Sequence, residues 1–373
     1  MLEDESVEFF GMFDNDELVA VMRLFDFETN LFGKIVKTSG IGFLGVSLLH
    51  KKKKVARDML KFYEEHYRER NMPIGSLLPF RPDFYKKMGY GFGTKINKLN
   101  LPAERFPIDL SKPDIRKIQA SDFEKIHDCH DSFVMNNHGM NRKLYYEKIQ
   151  MLKEKNQKIV GIYDEDENIK GYTMFEFYNG KSDNYTINNI AIKELIYDSS
   201  DTLRQLLGFY RKQEDQVQYI SLVTSDEAFH FLFDDPRNDT LNYIPFGYLE
   251  SNTQGIGMMY KIFDVEMAFR QCEHRNYNNQ DINIKLVVED AFIDKNISEL
   301  TLGFVNGKVN FDVNNHDVEI KLSISDFSSL FMGVISPSQL YRLGLIEIED
   351  KNQLYRLDLL FYNNQKPQTN TDF

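Results

Sequence analysis

The amino-acid sequence predicts a chain of mixed α/β (α+β) class. Two fused units with mixed central sheets come first, and a third α+β unit follows them. Two observations lead to this prediction. The order hairpin, strand, helix, strand occurs in residues 1–106 and again in residues 107–262, with little residue identity between the copies. Residues 263–373 then contain short alternating segments that are typical of an antiparallel sheet.

The elements of the first unit follow from periodicity and turn residues. Two β-rich segments, 7–13 and 18–25, flank Asp14-Asn15-Asp16, which is a strong hairpin signal. Apolar residues spaced by three and four predict a helix over 51–69. A single helical turn is predicted at 84–87. The remaining strands are predicted at 35–37, 41–48 (after a break at Ser39-Gly40), 74–80 and 94–101, the last of which closes the unit.

The second and third units are assigned in the same way. In the second, a capping box at Ser121-Asp122-Phe123-Glu124 predicts the start of a helix. The other elements of that unit are strands at 158–163, 169–177, 185–192 and 218–223 and a helix at 202–211. The third unit has predicted strands at 282–289, 300–304, 308–313 and 318–324, and helices at 325–333 and 336–343 that begin with serine caps.

Composition and charge restrict the possible partners. The chain is 42% hydrophobic and 27% charged, with a formal net charge of −12. An acidic surface repels phosphates, so nucleic acid is excluded as a partner, whereas polyamines, aminoglycosides or lysine-rich tails are attracted. Acidic charge also keeps proteins in solution without any steering role, and this second interpretation stays open.

The sequence also bears on location. No apolar run approaches the roughly 20 residues that span a bilayer, and Met1-Leu2-Glu3-Asp4-Glu5 is acidic where a signal peptide is basic. The two cysteines, Cys129 and Cys272, are too few for a disulfide framework. These observations predict a cytoplasmic protein with no membrane partner.

A strand that leads directly into a cationic turn is the first candidate for chemistry. Leu44-Gly45-Val46 end a predicted strand, and four lysines at 51–54 precede the helix. Backbone N–H groups at a helix N-terminus are unpaired and carry about half a positive charge, so lysines there create a potential that suits a pyrophosphate. The alternative, a solvated run of charge, stays open.

Tyr85 is the second candidate. It lies between the end of a strand and the turn at Gly89, where a phenol can sit beside a thioester. The alternative is that Phe84, Tyr85 and Tyr90 are aromatic residues that pack in the core.

Together these segments resemble the GNAT acetyltransferases. Strand, basic turn, helix, strand and then Phe84-Tyr85-x-x-x-Gly89-Tyr90 follow the order of that superfamily, and the turn starting at His50 resembles the His-Arg-Arg-Arg-Gly turn of the enhanced intracellular survival (Eis) type. Eis proteins have two fused GNAT units followed by a sterol-carrier-protein-like domain. Their chains end in an acidic residue and phenylalanine, like Asp372-Phe373 here. The resemblance covers essentially the whole chain.

The resemblance implies a role for each matching residue. Leu44, Gly45 and Val46 would hold the acetyl group and the pantetheine arm, and Phe80 and Arg81 would contact the cofactor further along. The pyrophosphate turn would consist of Lys52, Lys53, Lys54, Val55, Ala56 and Arg57. Tyr85 would be the general acid. The α-carboxylate of Phe373 would be the general base, and Asp372 a substrate contact.

The implied reaction is direct acetyl transfer from acetyl-CoA to a neutral amine, without an acyl-enzyme and without a metal. A free α-carboxyl group has a pKa of about 3.5, far below that of an amine. To accept the amine proton, either its pKa must be raised by burial or the proton must be relayed through water. Tyr85 would protonate the leaving thiolate, and Lys86 and Lys87 are expected to lower its pKa. An N–H group near Val46 would polarise the thioester.

The sequence departs from the family pattern at two places, the lysine turn and the start of the first unit. The family has glycine where this chain has Lys54, so Lys54 either takes an ordinary helical conformation or weakens cofactor binding. Family members also have a strand and helices before the first hairpin, and the first unit here is expected to lack them.

The second unit is expected to bind no cofactor. After its third strand come Lys193-Glu194-Leu195-Ile196-Tyr197-Asp198, where acids replace the basic turn. His127 and His130 are spaced so that they share a helix face, but no third ligand is evident, so a structural role is favoured over a metal site.

The predicted function is therefore acetyl-CoA-dependent N-acetylation of a primary amine on a cationic substrate, which is aminoglycoside-like, a polyamine or a protein lysine. The alternative is a non-catalytic binding or scaffold protein with a decayed acetyltransferase unit and a third domain that binds an apolar ligand. The resemblance also implies a homo-oligomer, a hexamer.

Overall fold

The computed structural model describes residues 4–144, 147–148, 151, 156–181, 184–240, 242–244, 246–293 and 296–369. These residues form two compact units. Unit 1 combines Met1–Thr94, Asn137–Asn141 and Ile256–Phe373, and unit 2 combines Lys95–Asn136 and Arg142–Gly255. The predicted domain limits of 1–106, 107–262 and 263–373 stay predictions.

The described residues contain both strands and helices, numbered here in chain order. The strands are β1 Val7–Asp14, β2 Glu17–Leu31, β3 Lys34–Val46, β4 Ile74–Leu77, β5 Gly91–Phe92, β6 Ile96–Pro102, β7 Ile115–Lys117, β8 Gln157–Tyr163, β9 Ile169–Lys181, β10 Asn184–Tyr197, β11 Val217–Thr224, β12 Tyr243–Ile244, β13 Tyr248–Leu249, β14 Asn252–Gly255, β15 Met259–Ile262, β16 Ile282–Asp290, β17 Asn296–Val305, β18 Lys308–Asn310, β19 Val318–Ser323 and β20 Ile346–Ile348. The α-helices are α1 Val55–Glu69, α2 Pro82–Lys86, α3 Phe123–Asn136, α4 Ser200–Arg211, α5 Val265–Gln271, α6 Ile324–Phe331, α7 Pro337–Arg342 and α8 Leu354–Phe361. Short 3-10 turns are found at Leu48–His50, Ala103–Arg105, Ala120–Asp122, Phe229–Leu232 and Lys351–Gln353.

The first sheet of unit 1 has the order β1-β2-β3-β4-β15-β5. Its inward side chains alternate with outward ones along β1 and β2, and α1 covers the inward face with Met59, Leu60, Tyr63 and Tyr67. β15 lies between β4 and β5 and is antiparallel to both. A strand from late in the chain therefore completes a sheet that the first residues begin.

The second sheet of unit 1 has the order β18-β17-β16-β19-β20, with α5, α6, α7 and α8 packed in the same core. The sequence predicted an antiparallel sheet here. The structure corrects this, because β16 pairs with β19 in parallel. In the chain, α6 and α7 connect β19 to β20, and β20 pairs antiparallel with β19.

Unit 2 contains the sheet β14-β6-β11-β10-β9-β8-β7 and the small hairpin β12-β13. α4 packs its apolar face on the core of this sheet, and α3 packs against β9 and β10. The strand predicted to close the first unit is β6, and it pairs instead with β11 and β14 in this sheet. The sequence pattern identified the strand but not its partners, because alternation specifies a buried face and not a neighbour.

Several other boundaries differ from the prediction. Ser39-Gly40 does not break a strand but lies within β3, where the Ser39 hydroxyl is 2.9 Å from the Tyr63 hydroxyl. A capping box is found not at Ser121 and Glu124 but at the 3-10 turn Ala120–Asp122 that precedes α3, where the Asp122 carboxylate accepts from the Gln119 N–H at 3.0 Å. α6 is capped by Ser323 instead of Ser325.

A buried arginine closes the core of the second sheet of unit 1. Arg275 is 3% exposed and donates to the carbonyl oxygens of Phe331 and Phe361, both at 3.0 Å. These are the last residues of α6 and α8, where helix carbonyls lack intrahelical partners and carry about half a negative charge. Within the described residues no carboxylate pairs with this guanidinium. Two helix C-termini together therefore supply the countercharge of one arginine.

We expect Arg275→Met to lower the stability of the protein strongly, by about 3 kcal/mol, because it leaves two buried helix ends uncapped. The measurement is the thermal unfolding midpoint. Arg270→Met is the matched control, since Arg270 is exposed and pairs with Glu266 one helical turn away. Equal shifts in the two variants would contradict the role of Arg275.

Candidate active site

β3 and β4 pair over a short stretch and then separate. Their parallel pairing consists of Ser39 with Gly75 and Gly40 with Ser76, whereas the other edge of β3 stays paired with β2 as far as Val46. The β2 register shifts opposite residues 42–45, and Phe43 there has a φ of 49°. Residues 41–46 of β3 therefore present backbone N–H and C=O groups without a strand partner on the β4 side. An extended ligand can bind such an edge through backbone hydrogen bonds.

The turn after β3 is made of lysines in unusual conformations. Lys52 and Lys54 have φ values of 64° and 68°, in the left-handed region. Lys54 is the residue before α1, its carbonyl accepts from the Asp58 N–H at 3.0 Å, and no side chain caps the helix. The first N–H groups of α1 thus face a turn with four exposed lysines, which is the geometry of an anion site.

The conformation of Lys54 differs from one prediction made above. Lys54 was expected either to take an ordinary helical conformation or to weaken cofactor binding, and the first of these is wrong. Lys54 instead takes the conformation that glycine adopts without strain, at a cost of roughly 1–2 kcal/mol for a residue with a Cβ. The turn is therefore preserved in shape, and the lysine adds a positive charge to it.

The corresponding helix of unit 2 has a different N-terminus. Ser199 caps α4 by accepting from the Thr202 N–H at 3.2 Å, and Asp201 lies in the first turn. The preceding strand, β10, also continues to Tyr197, whereas the sequence predicted its end at Ile192. The N-terminus of α4 is thus occupied by its own side chains and flanked by acids, which repel a phosphate.

Tyr85 lies in α2 and is 5% exposed. Its ring packs against Phe80, Phe84 and Tyr90 with centroid distances of 5.7, 5.2 and 5.8 Å. Burial raises the pKa of Tyr85 to about 12. The expectation that Lys86 and Lys87 lower this pKa is therefore wrong. Lys86 pairs with Asp326 at 2.6 Å, and desolvation of the phenolate dominates.

The structure brings part of the predicted site together. Leu44, Val46 and Val55 pack on the same apolar cluster that holds Tyr85. Gly45 is exposed in β3, Phe80 is 71% exposed, and Arg81 forms a surface pair with Asp83 at 2.6 Å. Lys52 and Lys53 are exposed, and Ala56 and Arg57 are half-buried at the start of α1. Asp372 and Phe373 lie outside the described residues.

Family models match most of the chain. One described as an acetyltransferase (GNAT) domain matches residues 2–93, and another with the same description matches residues 139–262. A sterol carrier protein domain matches residues 265–370. The chain therefore contains two GNAT acetyltransferase domains followed by a sterol carrier protein domain. No curated protein matches the sequence.

Solved structures share the fold of this GNAT protein over nearly its whole length. A GCN5-related N-acetyltransferase from Anabaena variabilis has a TM-score of 0.82 at 18% identity, covering 98% of this chain and 89% of that one. A conserved protein of unknown function from Enterococcus faecalis, a probable N-acyltransferase, has a TM-score of 0.79 at 16% identity, covering 99% and 89%. Eis1 from Mycobacterium abscessus has a TM-score of 0.77 at 19% identity, covering 98% and 91%.

These comparisons confirm the predicted architecture. Tandem GNAT domains followed by a sterol carrier protein domain were expected from the Eis resemblance, and both the domain order and the fold agree with it. In the part of the GNAT protein that the structure describes, no helix is long and apolar enough to cross a membrane.

The histidines on α3 have structural surroundings. His127 packs edge-on against Phe123 at 4.5 Å, and burial lowers its pKa to about 4. His130 has its Nε2 3.7 Å from the carboxylate of Glu194, which also binds Lys143 at 2.8 Å. Among the described residues, no three His, Cys, Asp or Glu side chains could hold a metal. Both cysteines are free and buried.

Sequence reasoning missed a buried charge cluster beneath the candidate site. The Lys261 ammonium, fully buried, lies 2.8 Å from both oxygens of Glu64 and 3.0 Å from Asp290. Its Nζ is also 4.6 Å from the centroid of the Phe292 ring. The signal was present, since Glu64 shares the apolar face of α1 and Lys261 interrupts an apolar run from Met258 to Ile262. A charge at a core position needs a partner.

The cluster holds two carboxylates and one ammonium, so it is negative when all three are charged. Burial raises the pKa of Glu64 to about 7, although Lys261 and Arg68 act to lower it; Asp290 adds to the rise. Desolvation of the Glu64 carboxylate sets the direction of the shift, and one proton on Glu64 makes the buried cluster neutral.

This pKa predicts a pH-dependent stability. Glu64 binds its proton more tightly in the folded chain than at its ordinary pKa of 4.5, so its contribution is present below pH 4.5 and is lost as pH rises to about 7. The loss is about 3 kcal/mol, an upper estimate. Glu64→Gln cannot titrate, so we expect wild type to lose stability relative to this variant across that window and the difference to level off above it. Urea unfolding midpoints between pH 4 and 8 measure the difference, and a flat curve would rule out the shift.

Proposed function

We propose that this chain transfers the acetyl group of acetyl-CoA directly to a primary amine of a cationic substrate that is aminoglycoside-like, a polyamine or a protein lysine. The observation that carries the proposal is the uncapped N-terminus of α1 within a turn of four lysines, directly after the strand edge at residues 41–46. Acetyl-CoA supplies both a diphosphate for the first feature and an extended arm with amide groups for the second. It also supplies the activated acyl group.

The chain's residues then divide into binding roles. Leu44, Gly45 and Val46 hold the arm through the open edge of β3, and a backbone N–H near Val46 polarises the thioester carbonyl. The diphosphate is held by the turn and first helical residues Lys52, Lys53, Lys54, Val55, Ala56 and Arg57. Phe80 and Arg81, at the end of β4, contact the cofactor further along. The Arg81–Asp83 pair is exposed, so exchanging it for a phosphate contact costs little.

Tyr85 is proposed as the proton donor to the departing thiolate. A phenol with a pKa of about 12 is fully protonated at neutral pH, so it is ready to donate. A thiol has a pKa near 8.5, and complete transfer to it would be uphill by about 5 kcal/mol. Tyr85 therefore acts first as a hydrogen-bond donor to the sulfur. As CoA leaves, Tyr85 passes its proton to the thiolate and regains one from solvent, which in turn receives the proton that the amine lost to the terminal carboxylate.

The α-carboxylate of Phe373 is proposed as the base that takes the amine proton, with Asp372 as a contact for the cationic substrate. The support is the resemblance of the chain end to the Eis type, together with the acidic net charge of −12, which attracts cations. A cytoplasmic location and a homo-oligomer, a hexamer, belong to the same proposal.

Titration calorimetry with acetyl-CoA tests the cofactor site. We expect micromolar binding, on the order of −8 kcal/mol. Lys52→Gly, Lys53→Ala and Lys54→Gly together remove three charges, while glycine keeps the left-handed turn, so affinity should fall roughly 10–100-fold and lose its salt dependence. Lys34→Ala with Lys37→Ala, at the other end of β3, is the matched control. If wild type does not bind, the non-catalytic alternative gains over the enzyme.

The two proton-transfer groups are tested by a pair of variants assayed with a panel of amines. Tyr85→Phe should lower kcat by about 10²-fold with little change in acetyl-CoA affinity, since the ring packing is kept and the donor is lost. One glycine added after Phe373 moves the carboxylate and should lower turnover by a similar factor. Full turnover in the extended chain would exclude the terminal base, and full turnover in Tyr85→Phe would exclude the phenol donor.

A further inference from the structure

Helix α6 of the sterol carrier protein domain contacts the segment that carries Tyr85. The Lys86 ammonium lies 2.6 Å from Oδ1 of Asp326. The Ser325 hydroxyl donates to the Tyr90 carbonyl at 3.1 Å, and the Ser329 hydroxyl donates to the Phe92 carbonyl at 2.8 Å. One face of α6 thus binds residues 86–92 through one ion pair and two hydrogen bonds.

The segment also makes close approaches at two glycines, to the backbone of α6 at Gly91 and to side chains at Gly89. A Cβ on Gly91 would lie 2.1 Å from the Ser325 carbonyl oxygen. Gly89 has a φ of 88°, and a Cβ there would lie 2.9 Å from the Ile324 side chain and 2.8 Å from Cε of the buried Lys261. No side chain fits at either position, so the segment rests directly on α6 and on the buried ammonium.

These contacts involve the residues that directly follow Tyr85 in the chain. The Tyr85 carbonyl accepts from the N–H groups of Met88 and Tyr90 at 2.9 and 3.1 Å, and its ring packs on Tyr90. The hydroxyl forms no hydrogen bond within the described part of the chain. Packing rather than a hydrogen bond of its own therefore sets the direction of the phenol, and one of its packing partners, Tyr90, is held by α6.

We propose that α6 of the sterol carrier protein domain is a positioning element for Tyr85 of the first GNAT domain. Asp326, Ser325 and Ser329 are its positioning residues, and Lys86 and the carbonyls of Tyr90 and Phe92 are their partners. The proposal rests on the proposed function, since it assigns Tyr85 a catalytic role. A displacement of about 1 Å in a reacting group lowers rates by up to 10²-fold, so the predicted effect is on turnover.

The central test is a double-mutant cycle on the ion pair. Lys86→Met removes the charge without touching α6, and Asp326→Asn keeps an acceptor for Ser323, which contacts the other oxygen of Asp326 at 2.7 Å. We expect each variant to lower kcat about tenfold, with the acetyl-CoA Kd within about twofold of wild type. The double variant should lose no more than either single one. Lys86→Arg should restore most of the turnover, because it keeps the cation.

The matched control is Lys285→Met, which removes partly exposed ion pairs with Glu319 and Glu299 from the same domain. It should leave kcat unchanged. A purely structural role for the Lys86–Asp326 pair would lower the unfolding temperature and leave kcat and its pH profile intact below that temperature. That outcome would overturn the proposal.

A second readout does not depend on turnover. Hydrogen exchange of the peptide over residues 82–92 should become at least several-fold faster in Lys86→Met and in Ser329→Ala, and it should stay unchanged in Lys285→Met. If exchange does not change, α6 does not hold the segment. If wild type shows no acetyl transfer while exchange responds as expected, the proposed function fails, and with it the positioning role; the contact of α6 with residues 86–92 then serves stability alone.

Discussion

The buried ammonium of Lys261 is the constraint on which unit 1 depends. A fully desolvated charge is tolerated when opposite charges and hydrogen bonds surround it, and removing one partner costs several kcal/mol. Its partners come from separate stretches of the chain: Glu64 from α1 and Asp290 from the end of β16. Lys261 itself lies on β15, which completes the first sheet. The first GNAT domain and the sterol carrier protein domain therefore have to fold around the same charge.

This shared cluster gives the third domain a physical connection to the chemistry. The cofactor turn begins α1, and Glu64 lies farther along the same helix. The Tyr85 segment lies over Lys261 at Gly89 and against α6 at Gly91. The candidate cofactor turn and the candidate proton donor thus rest on one buried polar cluster. The sterol carrier protein domain therefore contacts the segment that carries the proposed proton donor.

The sequence predicted what depends on local pattern and failed where distant partners decide. The lysine turn, the Tyr85 helix and most strands follow from periodicity and turn residues, and they are found where expected. The pairing partners of β6 and β15 were missed. Each of these strands joins a sheet whose other strands come mostly from a different part of the chain, and alternation does not identify a strand's neighbours. The pKa of Tyr85 was predicted in the wrong direction, because proximity in sequence suggested Lys86, whereas Lys86 turns to Asp326 and burial decides.

The two GNAT domains show how the same order of elements can carry different chemistry. Both place a helix after a strand, and both helices have a positive N-terminal end. In the first domain that end has no side-chain cap and lies beside lysines, two of which take strained left-handed conformations. In the second, Ser199 and neighbouring acids satisfy the helix end from within the chain. A left-handed conformation costs a lysine more than it costs a glycine, and such strain is found mainly at functional positions. The first helix end is therefore left open beside four lysines, as the proposed binding of a diphosphate requires, whereas the second is capped from within the chain.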